Sequence, residues 1–533
     1  MILKTHFLVL AGIFAVIIFS CSPSPKTAAE IGVDSVNTHQ YVAPVLIGKD
    51  NNPVVQIRID VQETAQPLTL NGLSISTLGT SDLNDVQAVR VFKSDSAGSF
   101  ITESQFGSTK ELADKMDFEG NLTLTPGTNY FWISCQLSPT ANLLNKVQLT
   151  CSSVSIDGNE LKPLAKSSAN PKRMGHALRK HNDDGVDTYR IPGLATTNEG
   201  TLIGVYDIRR NSSVDLQEDV DVGMSRSTDD GQTWEPMKVI MDMGEWGGKL
   251  QEENGIGDPS VLIDRQTNTI WVAAVWAHGH PGKRNWHESK PGLEPMTTSQ
   301  FVLVKSEDDG LTWSDPINIT KQIKDSKWHL LLQGPGKGIT LGDGTLVFPA
   351  QFKDENQVPH STLIYSKDRG ETWKIGSGLR AETTEAQIVQ LDNGDVMINA
   401  RNNEARNQKG IGRVVATTSD LGQTWKEHPS TVVALEESTC MASLVNEEFE
   451  KHGKLLLFSN PNTHSGRFNM TIKISKDEGL TWPERDWLLL DEGRGRGYSC
   501  MTKIDQETIG ILYEGSQADL VFEKVEISEI LNQ

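Results

Sequence analysis

Residues 227–234 read Ser-Thr-Asp-Asp-Gly-Gln-Thr-Trp, and the pattern returns as Ser-Glu-Asp-Asp-Gly-Leu-Thr-Trp at 306–313, Ser-Lys-Asp-Arg-Gly-Glu-Thr-Trp at 366–373, Thr-Ser-Asp-Leu-Gly-Gln-Thr-Trp at 418–425 and Ser-Lys-Asp-Glu-Gly-Leu-Thr-Trp at 475–482. The third-position aspartates fall at 229, 308, 368, 420 and 477, so successive copies stand 79, 60, 52 and 57 residues apart. That interval is too long for one hairpin and suits a four-stranded unit with its loops. A series of such units predicts a β-propeller. The 361 positions from 173 to 533 accommodate six blades, each of about 60 residues. One blade, shared between the two ends of the domain, then lacks the motif.

The motif's own chemistry is structural. Its Asp can accept hydrogen bonds from the backbone of its own turn, Gly supplies a left-handed conformation, Thr ties the turn and Trp seals it against the sheet. The acids of these five turns therefore carry almost no catalytic weight.

Ahead of the repeats, residues 27–162 alternate apolar and polar at period two, as in Val54-Val55-Gln56-Ile57-Arg58-Ile59-Asp60-Val61 and Val86-Gln87-Ala88-Val89-Arg90-Val91-Phe92. Turn signals at Asn71-Gly72, Pro126-Gly127 and Asp157-Gly158 separate the runs. This pattern predicts an antiparallel β-sandwich of half-buried strands over 22–165. The rhythm breaks between Pro163 and Lys172, where a linker is expected.

At the start, Lys4 precedes an apolar run from Phe7 to Phe19, followed by Ser20, Cys21 and Ser22-Pro23-Ser24-Pro25. The run reads as a secretory signal over residues 1–21, too short to span a membrane and stay. A small residue before a cysteine resembles a bacterial lipoprotein signal, with Cys21 the lipidated first residue of an exported protein at the periplasmic or outer surface. Phe19 is bulkier than that pattern prefers, so ordinary cleavage with secretion, or an uncleaved anchor, stays open. Cys135, Cys151, Cys440 and Cys500 show no zinc spacing. Cys135–Cys151 could bridge two strands after export, and buried free thiols are the alternative.

The 533 residues hold 50 Lys and Arg against 70 Asp and Glu, a net charge of −20, which excludes a nucleic-acid binder of the usual basic kind. Hydrophobic residues at 37% and charged residues at 23% describe a soluble globular chain, neither disordered nor polytopic.

The spaced Ser-x-Asp-x-Gly-x-Thr-Trp series is an Asp box. With Tyr189-Arg190-Ile191-Pro192 ahead of the first copy, the region 173–533 resembles the bacterial exo-α-sialidases (neuraminidases), glycosidases built on a six-bladed propeller. The front sandwich looks like the accessory domain of some of these enzymes, often taken for carbohydrate binding. The resemblance implies an all-β fold, a sandwich followed by the propeller, and retaining hydrolysis of terminal sialic acid from glycoproteins, glycolipids and oligosaccharides. It implies neither metal nor cofactor.

The chemistry explains the residue types. Sialic acid carries a carboxylate on its anomeric carbon, which must be held while an oxocarbenium-like transition state develops beside it. Arginine suits this task, because its planar fork pairs bidentately and keeps its charge in a pocket. The family's arginine trio maps to Arg190, to Arg401 in Ile398-Asn399-Ala400-Arg401-Asn402, and to Arg467 after Ser459-Asn460-Pro461. Only closure of a ring brings such distant positions together. A carboxylate nucleophile would meet an anomeric centre already bearing negative charge, whereas a neutral phenol avoids that repulsion.

By resemblance the nucleophile is Tyr498 in Gly497-Tyr498-Ser499-Cys500, and Glu385 is the base that takes its proton. Asp215, six residues after Arg209, matches the acid/base, with Asp219 and Asp221 as nearby alternatives. Arg209 itself joins the substrate-binding set. Glu514 matches the glutamate that braces the first arginine. Asp258, Gln333, Gln351 and the stretch Trp276 to His287 are weaker pocket candidates, for which packing is the default. A non-catalytic sialoglycan-binding propeller or a trans-sialidase are the competing readings. The presence of Tyr498, Glu385 and Asp215 together argues against the lectin. A positive pocket on a negative body is expected. Linkage preference and oligomeric state have no readable code.

Overall fold

The computed structural model describes Met1 and residues 27–95, 99–167 and 170–531; Cys21 and the signal-like segment lie outside them. The chain is a six-bladed β-propeller preceded by a small β-sandwich. Blade 1 illustrates the plan: Thr188–Thr196, Leu202–Arg209, Val220–Ser227 and Lys238–Met241 pair antiparallel in sequence order. Four further sheets follow, spanning 256–337, 330–375, 383–427 and 443–491.

The last blade explains the missing sixth Asp box. Each box begins on the final residue of its blade's third long strand, at Ser227, Ser306, Ser366, Thr418 and Ser475. In blade 6 the corresponding strand, Leu520–Glu526, runs into the short helix Ile527–Leu531. Its outer neighbour is Lys172–Arg179, from the opposite end of the domain. A hairpin turn has no place there, so neither has the motif that would cap it.

The box geometry matches the chemistry expected of it. In the second copy Asp308 accepts Thr312 Oγ1 at 2.6 Å, Thr312 N at 2.8 Å and Ser306 Oγ at 2.8 Å. The box glycines have φ between +80° and +89°, and the residue before each is also left-handed, as at Asp309 with φ +58° and Leu421 with φ +58°. Two left-handed residues in succession fit the twist of a tight hairpin. Several boxes also abut the preceding blade: a Cβ on Gly370 would stand 2.4 Å from the Trp271 ring.

The front segment forms sheets of six and four strands, packed as a sandwich, with Cys135, Cys151, Cys440 and Cys500 all free thiols. Two of its pieces leave the sandwich. Val45–Ile47 adds in parallel to Lys172–Arg179, and Lys146–Val147 pairs with the start of that same strand. One apolar core runs from Val36, Phe118 and Ile133 of the sandwich to Leu194, Tyr206 and Phe522 of the propeller. The sandwich is thus sewn to blades 1 and 6. The linker contracts to a few residues, because Leu164–Ala165 still pairs with Val33–His39.

Candidate active site

The pocket arises from departures from regular strand pairing at the innermost strands. In blade 1 the register slips by one residue between Arg190 and Gly193, in blade 2 between Gly257 and Ser260, and in blade 4 between Thr383 and Ala386. A bulge of this kind re-aims side chains at the rim of a closed structure. The bulges hold Arg190-Ile191, Asp258 and Glu385. Ile191 and Asp258 adopt φ of +59° and +56°, and for a β-branched isoleucine that conformation costs about 1–3 kcal/mol and persists only where its surroundings enforce it.

Glu514 supplies that enforcement. This carboxylate, 2% exposed, accepts Arg190 Nε at 2.6 Å, Ile191 N at 3.0 Å and Tyr498 N at 3.0 Å. Burial pushes its pKa up, yet the Arg190 guanidinium and these donors outweigh burial and hold it below the ordinary glutamate value. One anion thereby fixes the first arginine, the strained backbone beside it and the backbone of the tyrosine.

Arg190, Arg401 and Arg467, far apart in sequence, line a single cavity of about 560 Å³ together with Asp215, Glu385 and Tyr498. Tyr498 Oη donates to Glu385 Oε1, and Arg401 Nη1 binds Glu385 Oε2 at 2.7 Å. The guanidinium carbons of Arg190 and Arg467 each stand 5.5 Å from the centre of the Tyr498 ring. Arg467 is oriented by two carbonyls, Arg496 O at 2.5 Å and Thr439 O at 3.3 Å. The Nε of Arg401 is buried without a protein partner. Burial first, then the negative Glu385, pushes the Tyr498 phenol well above its ordinary pKa of 10, although Arg401 and Arg467 pull the other way. The phenol is neutral and already hydrogen-bonded to a base.

Asp215 sits half-exposed at the pocket wall, with Arg209 Nη1 at 2.6 Å and Arg190 Nη1 at 3.9 Å. Burial pushes its pKa up, but Arg209 and Arg190 hold it below the ordinary aspartate value. Asp219 and Asp221 are turned elsewhere: Asp219 accepts Gln251 Nε2, and Asp221 pairs with Arg210 at 2.6 Å.

Arg209, expected among the substrate-binding arginines, lies beneath the pocket instead, 1% exposed and absent from its lining. Its Nη2 and Nε bind Asp207 Oδ2 at 2.8 and 3.0 Å, while Nη1 holds Asp215 and the Ser213 carbonyl. The short spacing from Arg209 to Asp215 folds the loop back onto the guanidinium, which therefore positions the acid and its loop.

Asp258 and Gln351 line the cavity, as do Arg284 to His287, whereas Trp276 is buried in a blade core. Gln333 is fully buried and donates to the carbonyls of Gly257 and Asp258, supporting the blade 2 bulge. Burial and the facing Asp207 raise Asp258 well above the ordinary range. Leu330, Leu332 and Arg406 also line the pocket and were not singled out by motif. Only the period-two placement of the two leucines on Leu330–Gln333 hinted at a shared face. Five arginines and three carboxylates face the cavity, a positive mouth on an acidic chain. Among the described residues no cluster of His, Cys, Asp and Glu has the makings of a metal site.

Residues 33–160 match the N-terminal domain of BNR-repeat neuraminidase, and residues 209–511 match the BNR repeat-like domain. The chain is 44% identical to a sialidase of Bacteroides fragilis strain YCH46, over 97% of this chain and 99% of that one. It is 29% identical to a sialidase of Micromonospora viridifaciens, over 63% of this chain and 51% of the relative. Among solved structures, the Hadza microbial sialidase Hz136 superimposes with a TM-score of 0.86 at 43% identity, covering 92% of this chain and 99% of its own. Trypanosoma rangeli sialidase in complex with 2,3-difluorosialic acid, a covalent intermediate, shares the fold at 19% identity and a TM-score of 0.55, over 67% of this chain and 58% of its own. With so much of both sandwich and propeller matched, the chain belongs to the sialidase family of glycoside hydrolases.

Proposed function

We propose that the protein is a retaining exo-α-sialidase that removes terminal sialic acid from glycoproteins, glycolipids and oligosaccharides through a tyrosyl intermediate. The observation that carries this reading is the Tyr498 phenol bonded to Glu385, with Arg190 and Arg467 against its ring and Arg401 behind the glutamate. The sugar's carboxylate sits among Arg190, Arg401 and Arg467. Asp215 protonates the departing glycosidic oxygen while Tyr498 Oη attacks the anomeric carbon and its proton passes to Glu385. Attack by a neutral phenol spares the repulsion that an aspartate would suffer beside the substrate's carboxylate. Water, deprotonated by Asp215, then displaces the tyrosine from the opposite face, and Glu385 returns the proton to the phenolate. Two inversions leave the configuration unchanged. Glu514 and Arg209 act through Arg190, Tyr498 and Asp215, so they are positioning residues.

Proton NMR of the first sugar released from an α-sialoside tests the reading: the α anomer is expected ahead of mutarotation, and initial release of the β anomer would sink it. Tyr498→Phe should lower kcat by about 10³-fold or more while the protein still binds sialoside. Wild-type turnover in that variant would remove Tyr498 from the chemistry.

A further inference from the structure

The geometry points to a second anion site beside the sialic-acid pocket, an alcove built on Arg494 and Arg496 that receives an acidic group of the sugar being released. This deepens the sialidase reading and rests on it: the enzyme would favour substrates whose leaving sugar carries an oxyanion, either the carboxylate of a second, α2,8-linked sialic acid or a sulfate ester.

The alcove has a volume of about 660 Å³ and shares two walls with the main pocket, Arg190 and Arg467. Arg494 and Arg496 complete it. They stand in Gly493-Arg494-Gly495-Arg496-Gly497, the stretch that leads directly into Tyr498. The glycines seat this backbone against the floor of the site. A Cβ on Gly495 would lie 2.3 Å from the Glu514 carbonyl, and one on Gly497, with φ +92°, within 3.0 Å of Pro461, Arg467 and Cys440. Gly495 N also donates to Arg467 O at 3.1 Å. The arginine backbone is thus held by the same residues that build the active site.

The two guanidinium groups are exposed, and among the described residues neither makes an ion pair or a side-chain hydrogen bond within the protein. Elsewhere this acidic chain pairs its arginines closely, as in Arg173 with Glu523 and Arg226 with Asp309. Glu514 and Asp519 also face the alcove, but both are engaged. Glu514 holds Arg190 and two backbone amides, and Asp519 accepts Tyr189 N at 3.1 Å. Partial burial and the neighbouring Arg190 lower the pKa of Arg496, so an anion placed there would relieve charge crowding. A lone surface arginine binds an anion weakly in water. Arg494 and Arg496 offer two open forks in one concavity, and the engaged Arg190 and Arg467 beside them add to the positive field there.

The position identifies the bound group. In a sialoside the anomeric carbon carries both the carboxylate and the leaving oxygen. With the carboxylate pinned among Arg190, Arg401 and Arg467, the leaving sugar begins one bond away. A cavity that shares Arg190 and Arg467 lies within reach of that sugar.

The test compares wild type with an Arg494→Gln/Arg496→Gln variant on α2,3-sialyllactose, α2,8-disialyllactose and a sulfated sialyllactose. The ratio of kcat/KM for an acidic over the neutral substrate should fall about tenfold in the variant, mainly through KM. The wild-type ratio should also decline with added salt while the variant's stays level. Loss on the disialyl arm alone assigns a carboxylate, and loss on the sulfated arm alone a sulfate. A ratio unchanged within twofold on both arms overturns the alcove, as does an equal drop on all three substrates. Should wild type cleave none of them, the hydrolase reading fails, and calorimetry of the same sugars with both proteins still decides the alcove. Tighter binding of an acidic sugar that needs the two arginines supports it, and equal affinities overturn it.

Discussion

Asp308 on the rim of the propeller and Asp215 at its mouth are both held below the ordinary carboxylate range, by different means. Asp308, lowered to about 2, owes the shift first to hydrogen bonds from Thr312, a residue of its own turn. Asp215 is pushed up by burial and pulled down harder by Arg209 and Arg190, charges brought in by the fold. The rim solution is local and recurs, with Asp368 and Asp420 also lowered to about 2. The mouth solution is assembled once, from the first two strands of blade 1 and the loop after them, and its field changes when a ligand arrives. A low pKa therefore identifies a functional acid only when its cause lies outside the residue's own turn.

Asp215 offers the widest separation between the two regions. Its replacement by Asn should cut kcat/KM on natural glycans by about 10²–10⁴-fold, and far less on an aryl sialoside whose phenolate departs without a proton. The pH profile sharpens the point. In the free enzyme Arg190 helps keep Asp215 ionised, whereas a bound sialic-acid carboxylate offsets that charge, so the pKa of Asp215 rises in the complex. The acid form is the one needed. The alkaline limb of kcat should accordingly lie at higher pH than the alkaline limb of kcat/KM, and the Asn variant should lose both. Coincident limbs would mean that the arginine field does not govern this acid.

Glu514 stands between the regions, an internal anion whose work is structural but whose partners are all at the mouth. Glu514→Gln keeps the shape and removes the charge. It should lower kcat/KM by about 10–100-fold through misplacement of Arg190 and Tyr498, with KM rising as the carboxylate clamp loosens. Glu514→Asp should recover less than Gln loses, because the shorter side chain cannot reach Arg190 and both amides. An unchanged KM in the Gln variant would show that Arg190 keeps its place without the brace.

The rim was legible because its information is contiguous. Eight residues specify each turn, and their repetition counts the blades, including the blade that has none. The mouth was legible only through motif matches such as Arg190-Ile191-Pro192, since no local pattern says that Arg190 and Arg467 will face one ring. The bulges that aim Arg190, Asp258 and Glu385 leave no period in the sequence. They become visible as register slips between strands. Arg209 shows the same gap: its spacing to Asp215 was readable, but whether it faced the sugar or the wall depended on the burial of Asp207 beneath it. The sandwich showed a clean alternation because one face of strands such as Lys115–Thr123 meets solvent. Strand Thr188–Thr196 is buried throughout, as packed neighbours on both faces require, and its alternation disappears. The use of Val45–Ile47 to extend blade 6 had no signal, because three apolar residues fit either sheet.

The smallest effect belongs to the rim itself. Asp477 accepts Ser475 Oγ at 2.6 Å, Thr481 N at 2.9 Å and Thr481 Oγ1 at 2.6 Å, and the turn is closed by Trp482, whose Nε1 donates to Gly479 O at 3.1 Å. Asp477 is itself partly exposed and its partners belong to its own turn, so Asp477→Ala should cost only about 1 kcal/mol of stability, with kcat/KM within twofold of wild type. Burial pushes the Asp477 pKa up, but the hydrogen bonds from Ser475 and Thr481 together outweigh it and lower it. A group whose folded pKa is depressed contributes fully above its unfolded value, about 3.9, and loses that contribution as pH falls through the folded value. The difference in Tm between wild type and variant should therefore be full at pH 7 and shrink below about pH 4. A variant that melts like wild type but turns over sialoside many times more slowly would erase the line between rim and mouth, because a box acid would then be acting on the pocket rather than on its own turn.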